Sequence, residues 1–134
     1  MIRALLVVLT LSVAGCSAQA APATAVLPGA GSFADAATTH IGIQAGFREV
    51  NPLISWSGEA APAVLIGAKF FALNTLTYLG QTPEQARIAV ESSSWGAACF
   101  NLMALAGAAV AAGVALGAAC WLGSHALYTE RLAQ

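Results

Sequence analysis

"AACFNLMALAGAAVAAGVALGAACWL", residues 97–122, carries no charged side chain, and Asn101 is its only strongly polar one. A helix of about 20 apolar residues crosses the hydrocarbon core of a bilayer, and this run is longer. Trp95 and Trp121 bracket it. On one continuous helix they would stand about 39 Å apart, at opposite headgroup levels. The competing reading, a core helix of a water-soluble domain, needs polar sequence to wrap it. The chain has too little: of 134 residues, 58% are apolar and 8% charged, with a mean hydropathy of +0.75. Soluble domains carry charge on about a quarter of their residues. The net charge of −1 leaves no basic surface for nucleic acid. The expected class is all-α, a small transmembrane helical bundle embedded in the lipid bilayer.

Upstream of that run, "TPEQARIAVESS" opens with Thr82 as a cap, Pro83 next and Gln85 completing a capping-box pattern. It reads as an amphipathic lead-in to the last span, with Arg87 and Glu91 four residues apart. A second span is expected at 61–79, "APAVLIGAKFFALNTLTYL", with Glu59 and Pro62 near its start and Gly80 at its end. A third, more polar candidate runs over 32–50. Within the last span, Gly113 and Gly117 continue a ladder of small residues suited to close helix contact, within one chain or in a homo-oligomer.

The N-terminal "MIRALLVVLTLSVAGCSAQA" has a basic start at Arg3 and an apolar run from Ala4 to Ala14, the form of a signal peptide. Val13-Ala14-Gly15-Cys16 resembles a bacterial lipobox, which makes Cys16 the candidate lipidation site. Ala18-Gln19-Ala20 offers ordinary cleavage instead, and an uncleaved anchor reaching about Val26 is a further alternative. The organisation expected is a signal segment at 1–15, an Ala/Pro/Gly-rich tether at 16–31, a bundle at 32–127 with about three spans, and a polar tail at 128–134. That places the protein in the bacterial inner membrane, multi-pass, with its processed N-terminus outside the cytoplasm. Arg48 and Arg131 inside against Arg87 outside agree with the positive-inside rule. Cys99 and Cys120, on one helix, would lie about 31 Å apart and could not bridge. No Cys/His spacing matches a metal site, and no cofactor-binding motif is present.

The charges gather in "DAATTHIGIQAGFREVNP", residues 35–52. On a helix, Asp35, Thr38, Thr39, Gly42, Gly46 and Glu49 share one face, joining acids and hydroxyls to a Gly-x-x-x-Gly pair. His40, Gln44 and Arg48 form a second polar stripe opposite. A helix polar on two sides belongs inside a bundle. Lys69, in the next span, lies about 13 Å from the Asn51 turn and could reach either Asp35 or Glu49. Ionised groups in a membrane pair with one another or line a cavity.

Asp35-x-x-Thr38-Thr39, Gly42, Glu49-x-Asn51-Pro52-Leu53 and the following Lys69 together resemble a family of small bacterial multi-span membrane proteins of unknown function. That resemblance covers about a quarter of the chain. It implies a multi-span fold and a role for these positions, and supplies no chemistry. Three functions compete on the sequence. The first is a structural or accessory membrane protein whose polar helix packs a bundle or docks a partner in a larger complex. The second is an oligomeric ion, proton or solute pathway, or a holin-like pore. The third is an intramembrane enzyme, which the sequence disfavours. Asp35 and Glu49 would lie about 21 Å apart along their helix, and no nucleophile–base pair or phosphate loop accompanies them.

Overall fold

The computed structural model describes residues 25–48 and 54–132, without the side chain of Leu132. Four helices make up nearly all of it: α1 (Ala30–Gln44), α2 (Ala61–Tyr78), α3 (Pro83–Leu105) and α4 (Val110–Leu132), with a single 3-10 turn, Gly58–Ala60, leading into α2. Among the described residues there is no strand. The stretch expected to be a signal segment, Cys16, Glu49 and Asn51 lie outside the described residues.

Glycine decides where the first three helices stop. After α1, Gly46 has φ 84°, the Gly46 N–H donates to the Ile43 carbonyl and the Phe47 N–H to that of Gly42. Gly80 (φ 97°) and Gly107 (φ 73°) close α2 and α3 with the same pair of bonds. This is the Schellman arrangement, in which glycine enters the left-handed region without a Cβ penalty. At the other terminus of α3, Thr82 and Gln85 form the expected capping box: Gln85 N–H to Thr82 Oγ1 at 3.2 Å, Thr82 N–H to Gln85 Oε1 at 3.0 Å.

Two sequence expectations are corrected by these stops. The helix expected over 32–50 ends at Gln44, so its 15 residues extend about 22 Å and do not cross a bilayer alone. Gly46 is the stop signal and not part of a packing face, while Gly42 meets nothing nearer than Phe47. More consequentially, the run 97–122 is not one span. It breaks after Leu105, and α4 folds back along α3 as a hairpin. Cys99 and Cys120, placed far apart by a continuous helix, are 6.5 Å apart at Cα and form a disulfide. Trp121 packs beside Gly96 instead of standing at the far end from Trp95. α4 continues to Leu132, so Tyr128 and Arg131 belong to a helix and not to a tail.

α3 is central and touches all three other helices; α1 and α2 also pack on each other. The paired residues set the directions. Glu91 lies beside Ser32 and Asn101 beside Thr38, so α1 runs parallel to α3. Lys69 meets Ser94 and Cys99 meets Cys120, so α2 and α4 run antiparallel to it. The start of α1, the end of α2, the start of α3 and the end of α4 therefore share one end of the bundle. Arg87 and Arg131 both lie there, with Arg48 at the other end, so the division of arginines expected from a single long span does not hold.

The α3–α4 seam depends on missing side chains. A Cβ on Gly117 would come within 2.9 Å of the Gly96 carbonyl oxygen, and one on Gly113 within 3.1 Å of the Phe100 ring. On the other side of α3, a Cβ on Gly31 would lie 2.6 Å from the Glu91 carbonyl oxygen. The stretch before α1, expected to be part of a free tether, is also held. Val26 is buried, its N–H donates to Asn74 Oδ1 at 3.0 Å, and Asn74 Nδ2 returns a bond to its carbonyl at 3.1 Å.

The bundle's polarity is inverted relative to a water-soluble domain. Its apolar core is small: Val26, Leu73, Ala86 and Val90. Ser32, Asp35, Thr38, Thr39, Glu91, Ser92 and Ser94 are buried, while Phe33, Phe71, Leu122 and Leu127 are exposed, Phe71 by 73%. Among the described residues, two helices are long and apolar enough to cross a membrane, 58–78 and 110–131. Only 11% and 6% of their most apolar windows are buried.

Candidate functional site

Two buried polar clusters fill the contacts that α3 makes with α1 and α2. The first closes the start of α1. Gly29 caps that helix but brings no side chain, so its first N–H groups need acceptors from elsewhere. Glu91 of α3 supplies them. Its Oε1 accepts from Gly29 N–H at 2.8 Å and from Ser32 Oγ at 2.6 Å, and its Oε2 accepts from Ser32 N–H at 3.1 Å. A carboxylate at a helix N-terminus also meets the positive end of the backbone dipole. These three charge-assisted bonds hold a buried acid that has no cationic partner among the described residues. The absence of a Cβ at Gly31 lets the two backbones approach closely enough for this contact.

The second cluster lies toward the middle of the bundle and joins three helices. From α2, Lys69 Nζ reaches Asp35 Oδ2 of α1 at 2.8 Å and donates to Ser94 Oγ of α3 at 2.6 Å. Ser94 passes its own hydrogen to the Val90 carbonyl at 2.6 Å, leaving a lone pair for the lysine. Asn101, about two turns further along the same face of α3, places Nδ2 at 3.3 Å from Asp35 Oδ1 and 3.2 Å from each of Thr38 Oγ1 and Thr39 Oγ1. Its two hydrogens are thus shared among three oxygens. Thr38 turns its hydroxyl hydrogen back to the carbonyls of Ala34 and Asp35. The ion pair is neutral overall, and both carboxylate oxygens of Asp35 have donors.

The structure therefore brings together Asp35, Thr38, Thr39 and Lys69, and joins to them Ser94 and Asn101, which the sequence reading did not single out as site residues. His40 is not among them. With α1 ending at Gln44, His40 is exposed and about 6 Å from the helix end. Gln44 and Arg48 are exposed too, so the second polar stripe faces outward, contrary to the expectation that neither side of this helix would. Arg48 borders a crevice whose floor includes Thr38, Thr39 and Asn101. Gly113 and Gly117 face α3.

A signal for the missed residues was present in the sequence. Glu91, Ser94 and Asn101 are three and seven residues apart in succession, spacings that keep all three on one helical face. Reading 82–93 as an amphipathic lead-in and 97–122 as the last span divided that stripe between two segments.

Chemically, the arrangement neutralises and anchors. No group of three or more His, Cys, Asp or Glu side chains that could hold a metal ion occurs among the described residues. The family model described as a domain of unknown function (DUF5658) matches residues 27–117, a region that contains Asp35, Lys69, Glu91, Ser94 and Asn101. No curated protein and no solved structure matches the chain.

Proposed function

The chain belongs to the DUF5658 family, a domain of unknown function, and from that premise we propose that it is a structural or accessory protein of the bacterial inner membrane. In this reading the polar side chains of α1 and α3 lock the bundle, whose outer face is presented to lipid and to a partner, another copy or a larger complex. The observation that carries it is the inverted polarity. Monomeric soluble proteins seldom expose contiguous apolar patches beyond a few hundred Å². Here both apolar helices lie mostly outside, while serines, threonines and acids fill the interior. Water would penalise that distribution, whereas hydrocarbon favours it, because buried polar groups in lipid must find partners within the protein. Glu91, Asp35 and Lys69 have such partners.

The ion-pathway reading receives less support. Lys69 and Asp35 bond to each other, and His40 faces outward.

The test is fractionation followed by topology mapping. After alkaline washing and ultracentrifugation without detergent, the protein is expected in the membrane pellet; recovery in the supernatant would refute the reading. An exported N-terminus, with or without lipid on Cys16, requires the end of the bundle near Ala30, and hence the C-terminus, to lie outside the cytoplasm. A periplasm-dependent reporter fused after Gln134 should then be active. An inactive fusion, with a cytoplasmic reporter active instead, would show that Arg87 and Arg131 set the orientation and would remove the exported N-terminus from the proposal.

A further inference from the structure

Two cavities on the outside of the bundle meet at Tyr128 and Arg131, which line both. One, at the end shared by the starts of α1 and α3, is lined by Arg87, Arg131, Glu84 and Glu91 with Val26 and Ile88 as apolar wall. The other follows the α3–α4 seam and is almost wholly apolar, bordered by Trp95, the Cys99–Cys120 disulfide, Gly123 and Leu127. Neither arginine has an ion-pair partner among the described residues. Tyr128 Oη accepts from Trp95 Nε1 at 3.2 Å, which leaves the phenolic hydrogen free to donate. Of the two acids, Glu91 is fully engaged by Gly29 and Ser32, so Glu84 is the carboxylate open to a ligand.

We propose that this pair of cavities binds one membrane phospholipid with an amino headgroup. The phosphodiester lies between the guanidiniums of Arg87 and Arg131, with Tyr128 as a third donor; the headgroup ammonium faces Glu84, and one acyl chain lies along the seam. Each part follows from the lining. Guanidinium groups match phosphate oxygens in geometry and charge. A free acid beside them selects a zwitterionic head over a purely anionic one. A continuous apolar trough starting at Arg131 suits a chain and not a free phosphate. The site rests on the membrane reading above and adds its ligand.

Gly123 makes the test clean, because a Cβ there meets nothing within 4 Å. Gly123→Leu therefore brings an aliphatic side chain to the trough from a backbone position with room for its Cβ. The full chain is purified in mild detergent and titrated with equimolar phosphatidylethanolamine and phosphatidylglycerol, and adducts are read by native mass spectrometry. Wild type should retain one phosphatidylethanolamine in preference to phosphatidylglycerol. Arg87→Gln/Arg131→Gln and, separately, Gly123→Leu should each weaken retention by roughly tenfold, with the Cys99–Cys120 bond intact as the folding control. Millimolar inorganic phosphate should not displace the lipid. Unchanged retention in both variants would overturn the site. Equal or greater retention of phosphatidylglycerol would overturn the headgroup assignment, and displacement by phosphate the part played by the trough. A chain that leaves the membrane on alkaline washing would instead refute the membrane reading, so the two failures are distinguishable.

Discussion

Lys69→Met tests whether the central ion pair locks the bundle. Methionine keeps a flexible stem of similar reach and removes the ammonium. Asp35, 5% exposed, would be left with the single 3.3 Å bond from Asn101. Truncating one member of a buried pair costs about 3–5 kcal/mol, because the other charge remains desolvated. Against a total stability of about 5–15 kcal/mol, that is a large fraction. Removing both charges has a different consequence. Asp35→Leu/Lys69→Met leaves no orphan charge and is expected within about 1 kcal/mol of wild type, or above it. Asp35→Asn should fall between, since the new side-chain amide would keep a partner in Asn101 and Lys69 would keep its bond to Ser94 Oγ. Equilibrium unfolding in mixed detergent–SDS micelles, followed by tryptophan fluorescence, measures wild type and all three variants, and the non-additivity isolates the pair. The reasoning fails if Lys69→Met costs less than about 1 kcal/mol, or if the double variant is as unstable as the single one.

Glu91→Gln should cost about 1–3 kcal/mol, since one amide oxygen replaces two charged acceptors at the start of α1; hydrogen exchange should show the Gly29 and Ser32 amides losing protection while those in the middle of α4 keep theirs. Two glycine-to-alanine changes should have opposite signs. Gly31→Ala places a methyl 2.6 Å from the Glu91 carbonyl and should separate α1 from α3, whereas Gly123→Ala meets open space and should stabilise α4 by up to about 1 kcal/mol. Thermal melts in detergent compare the two. Cys99→Ser/Cys120→Ser should lose about 3 kcal/mol by the chain-entropy account of a closed loop of this size, and peptide mapping without reductant should recover the cross-linked pair from wild type. Finding both cysteines free would remove the cross-link and leave the α3–α4 seam to the glycine contacts of Gly96, Gly113 and Gly117.

How much of this was legible in the sequence depends on what kind of signal each feature left. The helical class followed from composition, α2 from an apolar run bounded by Pro62 and Gly80, and the start of α3 from Thr82, Pro83 and Gln85, because each of these is written in adjacent residues. The hairpin was not. Gly107 sits in a run of small residues where any glycine reads equally well as a packing contact or a stop, and hydropathy does not fall at the turn, since Ala106, Ala108 and Ala109 are as apolar as their surroundings. Gly46 was ambiguous in the same way. That one misreading carried forward. A continuous helix separated Cys99 from Cys120, set Trp95 and Trp121 at opposite levels, and put Arg87 and Arg131 on opposite sides.

The polar clusters show a deeper reason for the misses. Asp35, Thr38, Thr39 and Lys69 stood out because they are rare charges and hydroxyls in apolar surroundings. Their partners Glu91 and Ser94 lie in the more polar first half of α3, where polar residues look ordinary, and Asn101 stood alone in an apolar run with nothing beside it to name its partners. Reading polar as outward is the rule for a chain in water, and it hid them. In this bundle the least apolar long helix is the central one, because the interior has to satisfy the start of α1 and a lysine from α2, while the outer helices bring apolar side chains to the surface. Once the solvent is taken to be hydrocarbon, the polar face of α3 becomes the part of the sequence that specifies which helices touch. Substitutions there should change the arrangement of the bundle more than equally drastic ones among the exposed phenylalanines and leucines of α2 and α4.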